Sequence, residues 1–265
     1  MVTQPFSAAD PDDDYQQLAT EQALATERLI AELGFSAGTR VLDIACGTGH
    51  AALAAARRRA QVTAVDIDET SLARARRRAE AEALDGIDFQ SADARAIPFA
   101  DGSFDVALST LGLVFLPDQE AAACELARVV RPGGVIALTA YTAQSIPAQV
   151  YEMVQELVKP PGRPEHPHYA WSHGPRAGAL LNPWFDLVRV RYQSTDTCFP
   201  SAAASFGHVS RWNPNIRGLL TRLTAPQRQT FREGYITILE RHNRATDGTF
   251  IASMDYAVIT GVRKA

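Results

Sequence analysis

The sequence predicts an α/β fold built on a doubly wound, mostly parallel sheet. Two observations predict it. Between residues 40 and 140, short β-branched or apolar runs alternate with stretches of helical periodicity at the spacing of βαβ units. The first such run, Val41–Ile44, stops at a glycine-rich turn and an alanine-rich helix follows.

The elements follow in order. Asp10, Asp12, Asp13 and Asp14 around Pro11 read as a solvated lead. Leu18, Leu24, Leu29, Ile30 and Leu33 recur at helical spacing over 15–33, and Gly34 ends that helix. Strands are expected at Arg40–Ala45, Val62–Ile67, Ile87–Gln90, Phe104–Ser109 and Val135–Ala140, with helices at His50–Arg59, Glu69–Ala83 and Asp118–Val130 between them. Arg131-Pro132-Gly133-Gly134 reads as the stop between the last helix and the last strand. After Tyr141 the alternation breaks. A helix over 148–158 leads into a Pro- and His-rich loop, Phe185–Tyr192 alternates as a strand, 200–245 is mostly helical, and Met254–Val262 closes as a strand. The expected organisation is a lead and helix over 1–36, a ligand-binding core over 37–142 with 184–194 and 253–265, and a cap over 143–183 and 195–252.

Composition narrows the function. The chain has 265 residues, 46% of them hydrophobic and 21% charged, with a net charge of −4. These are the proportions of a globular protein, and the missing basic excess argues against nucleic acid as a partner. No run approaches the ~18 apolar residues of a membrane span. The first residues show no basic-then-apolar signal pattern, so the expected location is the cytoplasm, without a membrane partner. Cys46, Cys124 and Cys198 are too few and too scattered for a disulfide framework or a zinc cluster. Arg57–Arg59 and Arg74, Arg76, Arg77 and Arg78 read as solvated helix faces.

The turn LDIACGTGH (42–50) carries the chemistry. Gly47 and Gly49 permit a tight turn and a close approach of backbone to a ligand, and the N-terminus of the next helix offers free N–H groups. Gly47-x-Gly49-x-x-Ala52, with Asp66 about 20 residues on, also satisfies the dinucleotide pattern, so the turn alone leaves an NAD(P)-linked oxidoreductase open. Asp43 weighs against it. A carboxylate two residues before the turn repels a pyrophosphate and attracts a ligand that presents a cation.

In order along the chain, VLDIACGTG (41–49), VTAVDID (62–68), SADARAIPFADGSFD (91–105), FDVALSTLGLVFLPD (104–118) and ELARVVRPGGVIAL (125–138) resemble the motifs of class I S-adenosylmethionine-dependent methyltransferases of the ubiquinone/menaquinone-biosynthesis-like group. The resemblance covers about 100 residues. It implies a Rossmann-like sheet of seven strands, parallel but for an antiparallel C-terminal strand, with helices on both faces and a helical cap from insertions after strands 5 and 6. It also implies S-adenosylmethionine as cofactor and S-adenosylhomocysteine as product. The cofactor-binding residues it points to are Asp43, Ala45, Cys46, Gly47, Thr48, Gly49, Asp66 for the ribose hydroxyls, Ile67 against adenine, Ala92, Asp93 for the adenine amino group, Ala94, Ser109, Thr110 and, in the leading helix, Tyr15. Ala45 departs from the family pattern, which has glycine there. An alanine is tolerable if its φ is negative.

The expected substrate is a small aromatic or lipophilic metabolite methylated at O or N, with C open. All three tryptophans (Trp171, Trp184, Trp212) and His166, His168, His173 and His208 fall in 141–212, the expected acceptor pocket. Each of these histidines is a candidate base, and Tyr141, just past the fifth strand, is a candidate for orienting the substrate. No Cys or carboxylate pair near His166 and His168 completes a metal site. A non-catalytic S-adenosylmethionine-binding protein remains a second alternative. The expected assembly is a monomer or homodimer.

Overall fold

The structure is a computed structural model that describes residues 23–116, 118–158 and 168–265. Its seven-stranded sheet has the order β3-β2-β1-β4-β5-β7-β6. The strands are β1 (Arg40–Ile44), β2 (Gln61–Asp66), β3 (Ile87–Ser91), β4 (Phe104–Thr110), β5 (Val130–Tyr141), β6 (Phe185–Phe199) and β7 (Phe250–Arg263). β1 pairs in parallel with β2 and β4, β2 with β3, and β4 with β5, while β7 runs antiparallel to β5. The strand order reverses between β1 and β4. A doubly wound sheet opens its ligand crevice there, beyond the carboxyl ends of the strands.

The helices are α1 (described from Ala23 to Leu33), α2 (His50–Arg57), α3 (Glu69–Ala81), α4 (Gln119–Val129), α5 (Ile146–Val158), α6 (Gly174–Leu181), α7 (Ala202–Trp212), α8 (Pro214–Arg222) and α9 (Ala225–His242). Several starts are written in the sequence. Asp68 accepts from the Thr70 and Ser71 N–H groups to cap α3, Asp118 caps α4 through Ala121, and Thr224 with Gln227 forms a capping box on α9. Capping carboxylates at these N-termini also meet the positive end of the helix dipole.

Contacts divide the described chain into two compact units. One holds 23–142, 168–193 and 256–265, and the other holds 143–158 and 194–255. In the first unit the strand pleat sorts the core onto two faces. Leu42, Ile44 and Val65 lie with α4 residues such as Leu126. Val41, Val62, Ala64, Val106 and Leu108 lie with α1 and α2. The alanines of α2 (Ala51, Ala52, Ala54, Ala55, Ala56) are small enough to bring that helix close to both the sheet and Leu29 and Ile30 of α1. The second unit has a core of its own, in which Phe206, Phe231 and Tyr235 meet edge-on or tilted beside Ile146 and Phe250.

Several expectations change. β5 begins at Val130 rather than Val135, because Arg131–Gly134 continues the strand through a register shift opposite Phe104 and Val106. β6 and β7 are longer than expected and run to Phe199 and from Phe250. Segment 168–183, expected in the cap, contributes Trp171, Ala177, Leu180 and Leu181 to the core of the sheet unit. Its apolar residues fill the sheet face beside Phe185 and Ile259. Residues 15–22, including Tyr15, lie outside the described residues.

At the amino end of the sheet Asp105 holds β1 and β5 to β4. It accepts from the Arg40 N–H at 2.9 Å, from the Arg40 guanidinium at 3.0 and 3.2 Å, and from Arg131 Nε at 2.6 Å. The Arg40 bonds, foremost, hold its carboxyl well below the usual carboxylate range. Such a group stabilises the fold above its unfolded-state pKa, and the contribution is lost as pH falls toward the folded-state value. Asp105→Asn is therefore expected to lose about 1 kcal/mol of stability at pH 7. In urea unfolding, the gap between wild type and variant should narrow steadily below pH 4.

Candidate cofactor and acceptor site

Asp43 stands where the pleat turns it toward α2, level with Ala64 of β2 and Leu108 of β4. It is 1% exposed. Its Oδ2 accepts from the Ala52 N–H at 2.9 Å, in the first turn of α2. Its Oδ1 has no hydrogen-bond partner. Burial pushes this carboxyl up to about 8, the Ala52 N–H opposes the shift, and the charge of Asp66 adds to it. The residue is thus both the cap of α2 and a buried acceptor with one oxygen unmet.

The turn after β1 runs through left-handed backbone. Ala45 has φ +53°, Gly47 +54° and Gly49 +81°. Gly49 is confined twice, because a Cβ there would also stand 2.9 Å from Leu53 Cδ1 and 3.0 Å from Ala75 Cβ. The negative φ on which an alanine at position 45 was tolerable is not what the structure has. This alanine sits in the conformation that favours glycine, at a cost of about 1–2 kcal/mol. Cys46 donates its N–H to Val65 O at 3.0 Å, and Gly49 donates to Cys46 O at 2.9 Å to close the turn. Burial raises the Cys46 thiol well above its ordinary value, so it is a neutral part of the turn. Thr48 is buried, and its hydroxyl has no partner.

Asp66, at the end of β2, holds this turn. Its Oδ2 accepts from the Gly47 N–H at 2.7 Å and its Oδ1 from the Asp68 N–H at 2.9 Å. Burial raises its carboxyl, and the two N–H bonds oppose that. Ile67 beside it is 58% exposed, an apolar side chain left open at the sheet edge. The Ala92 N–H bonds to Asp66 O at 3.0 Å, which brings the segment after β3 to the same edge. There Asp93 pairs with Arg95 through both oxygens, Oδ2 at 2.6 Å and Oδ1 at 3.1 Å, and the Arg95 hydrogen bonds hold it below the usual carboxylate range. Ala92 and Ala94 pack partly buried against the core.

The turn after β4 is the third wall. The Ser109 hydroxyl accepts from the Leu113 N–H at 2.8 Å, and the Thr139 hydroxyl accepts from the Leu111 N–H at 3.0 Å. Ser109 is therefore committed to the turn itself, while Thr110 is half-buried. Leu111 has φ +55°, a second non-glycine residue in the left-handed region. A Cβ on Gly112 would stand 2.7 Å from both the Cβ and the O of Ala45. The turns after β1 and β4 are in direct contact there.

Past Gly112 the structure gathers aromatic side chains. Phe115 is 52% exposed and stacks on His168, with ring centroids 4.8 Å apart. Tyr141 meets His168 edge-on at 6.3 Å, and Tyr169 does so at 5.5 Å. Of the expected acceptor residues, His168 and Tyr141 are brought together. His173 is exposed at the start of α6. His208 belongs to the other unit, where it lies against Phe199 and burial lowers its pKa. His166 lies outside the described residues. The three tryptophans have different surroundings. Trp171 is fully buried in the sheet core, Trp184 lies under Arg263, and Trp212 under Arg211 in the other unit. Among the described residues, no group of three His, Cys, Asp or Glu side chains is placed to hold a metal, and no helix is long and apolar enough to cross a membrane.

Sequence reasoning missed Gly112, Phe115 and Arg78 of α3, which donates to Thr48 O at 2.7 Å. A glycine directly after a strand was a signal for the first. Nothing in the run of arginines singled out Arg78.

A family model described as a methyltransferase domain matches residues 42–138, the span from Asp43 through the turn after β4 to β5. That stretch of the chain is similar to a methyltransferase domain. Curated relatives of this chain include an uncharacterized protein of Mycobacterium tuberculosis, 42% identical over 132 residues (49% of this chain and 48% of the relative). A second is the 27-O-demethylrifamycin SV methyltransferase of Amycolatopsis mediterranei, 36% identical over 153 residues, 56% of each chain. The chain spans about half the length of the curated relatives it matches. A similar solved fold is a Haemonchus contortus phosphoethanolamine N-methyltransferase in complex with S-adenosylhomocysteine. It has a TM-score of 0.57 and 18% identity, and the match covers 92% of this chain and 52% of that one.

The Ala45–Gly112 contact makes two outcomes opposite in sign. Gly112→Ala is expected to destabilise the protein by about 1–3 kcal/mol through overpacking. Ala45→Gly should stabilise it by up to about 1 kcal/mol by relieving the left-handed alanine. The double variant should stay destabilised, because Ala45 O remains in the way. Urea midpoints at constant m-value read all three.

Proposed function

We propose that this chain transfers the methyl group of S-adenosylmethionine to O or N of a small aromatic or lipophilic metabolite, with C as a further target. The observation that carries the reading is the unmet Oδ1 of Asp43. A buried carboxyl beside the glycine turn, with one oxygen unmet, suits a ligand whose ammonium favours its ionised form, and once ionised it opposes the two negative charges of a dinucleotide's pyrophosphate. In this reading the residues fit the ligand as follows. Asp43 and the turn at Ala45, Cys46, Gly47, Thr48 and Gly49 face its amino-acid end. Asp66 has lone pairs left for both ribose hydroxyls. Ile67, Ala92, Asp93 and Ala94 flank adenine. When bound, S-adenosylmethionine supplies a methyl group already activated on a sulfonium, so the protein's task is alignment and exclusion of water. Alignment contributes up to ~7–11 kcal/mol in well-oriented reactions.

Phe115, His168 and Tyr141 offer an acceptor wall, with Phe115 as an apolar stacking face and His168 as the base where the acceptor requires one. The name of one curated relative, a 27-O-demethylrifamycin SV methyltransferase, supports oxygen as the target atom. The reading keeps a cytoplasmic monomer or homodimer without nucleic-acid or membrane partners.

Calorimetric titration with S-adenosylhomocysteine and, separately, NADH tests this directly. Tighter binding of NADH overturns the reading. Asp66→Ala is expected to weaken S-adenosylhomocysteine binding by about 10- to 100-fold through loss of a charged acceptor. The pH behaviour of Asp43 gives an independent check. Near pH 7 its carboxyl, raised to about 8, is mostly protonated in the free protein, and a cationic ligand favours the ionised form. Binding at pH 7 should therefore release up to about one proton. Calorimetry in buffers of different ionisation enthalpy reads that proton, and Asp43→Asn should abolish the release.

A further inference from the structure

Among the arginines of α3, Arg76 is exposed and bridges to Glu69, and Arg77 is exposed. Arg78 behaves differently. It is half-buried, and its Nη1 donates to the main-chain oxygen of Thr48 at 2.7 Å. Its Nη2 lies 3.5 Å from His50 Nδ1. Burial foremost, then Arg78 and Arg57, lowers the His50 pKa to about 4, so the ring is neutral and Nδ1 can accept. Arg78 follows Ala75 by one helical turn, and Ala75 is the residue that a Cβ on Gly49 would strike at 3.0 Å. Thus α3 touches the glycine turn at two successive points, by van der Waals contact at Gly49 and by a charged donor at Thr48 O.

The second contact has a specific target. The Thr48 C=O and the Gly49 N–H belong to one planar peptide and point in opposite directions. Arg78 holds the oxygen, and Cys46 O accepts from the nitrogen at 2.9 Å. Glycines at 47 and 49 leave this peptide few steric barriers to reorientation. We infer that Arg78 is a positioning residue, which fixes the Thr48–Gly49 peptide in the orientation that presents the turn to S-adenosylmethionine without touching that ligand. The inference rests on the reading that this turn binds the ligand.

Arg78→Met is expected to raise the Kd for S-adenosylhomocysteine by about tenfold, as for loss of a charged hydrogen bond. At saturating S-adenosylmethionine, turnover should stay within about twofold, with the acceptor KM unchanged. Arg78→Lys should recover part of the affinity, and Arg77→Met should leave it unaltered. An unchanged Kd in Arg78→Met, a loss confined to turnover, or an equal loss in Arg77→Met overturns the inference. Should Arg78→Met not fold, Arg78→Gln replaces it with the same expectations. Should the wild type not bind S-adenosylhomocysteine, the reading of the turn falls and the clamp is judged alone. Hydrogen exchange of the Gly49 amide that is faster in Arg78→Gln than in wild type then supports the clamp, and equal exchange overturns it.

Discussion

A single buried hydrogen bond, from the Ala52 amide to Asp43, fixes where β1 gives way to α2. The carboxylate lies inside an apolar face, level with Ala64 and Leu108, and only its contact with the start of α2 offsets part of its desolvation. That bond sets the length of the turn and so the left-handed run through Ala45, Gly47 and Gly49. It also leaves one oxygen unmet at the edge where the strand order reverses. The chemistry assigned to the crevice depends on that leftover acceptor.

Around this point the fold uses several independent restraints. Asp66 grips the Gly47 amide from β2, Arg78 grips the Thr48 carbonyl from α3, and the Ser109 and Thr139 hydroxyls close the neighbouring turn. Left-handed alanine and leucine residues at 45 and 111 occur on adjacent strand ends. Strain of this kind persists where the surroundings over-determine the backbone, and such surroundings are typical of sites that must be rigid before a ligand arrives.

Much of this was legible in the sequence. The alternation of strands and helices is dictated by period and punctuation, so the sheet and the positions of Asp43, Gly47, Gly49 and Asp66 followed from local pattern. What escaped depends on contacts remote in sequence. Whether Ala45 has a positive φ is decided by the closure of the turn on Cys46, and why residue 112 is glycine is decided by Ala45 itself. Arg78 is distinguished from Arg77 only by which side of α3 meets the turn. The aromatic residues after Tyr141 misled for a related reason. Their density suggested a ligand pocket, yet the fully buried Trp171 among them serves the core of the sheet unit.

The crowding between residues 45 and 112 also constrains how this chain can evolve. Position 45 can revert to glycine in one step, since removing its methyl relieves both the backbone and its neighbour. Position 112 has no such exit, because the main-chain oxygen across from it bars any side chain whatever stands at 45. In the proposed reading, diversification of acceptor preference along this rim therefore proceeds through Phe115 and beyond, with Gly112 as its fixed pivot.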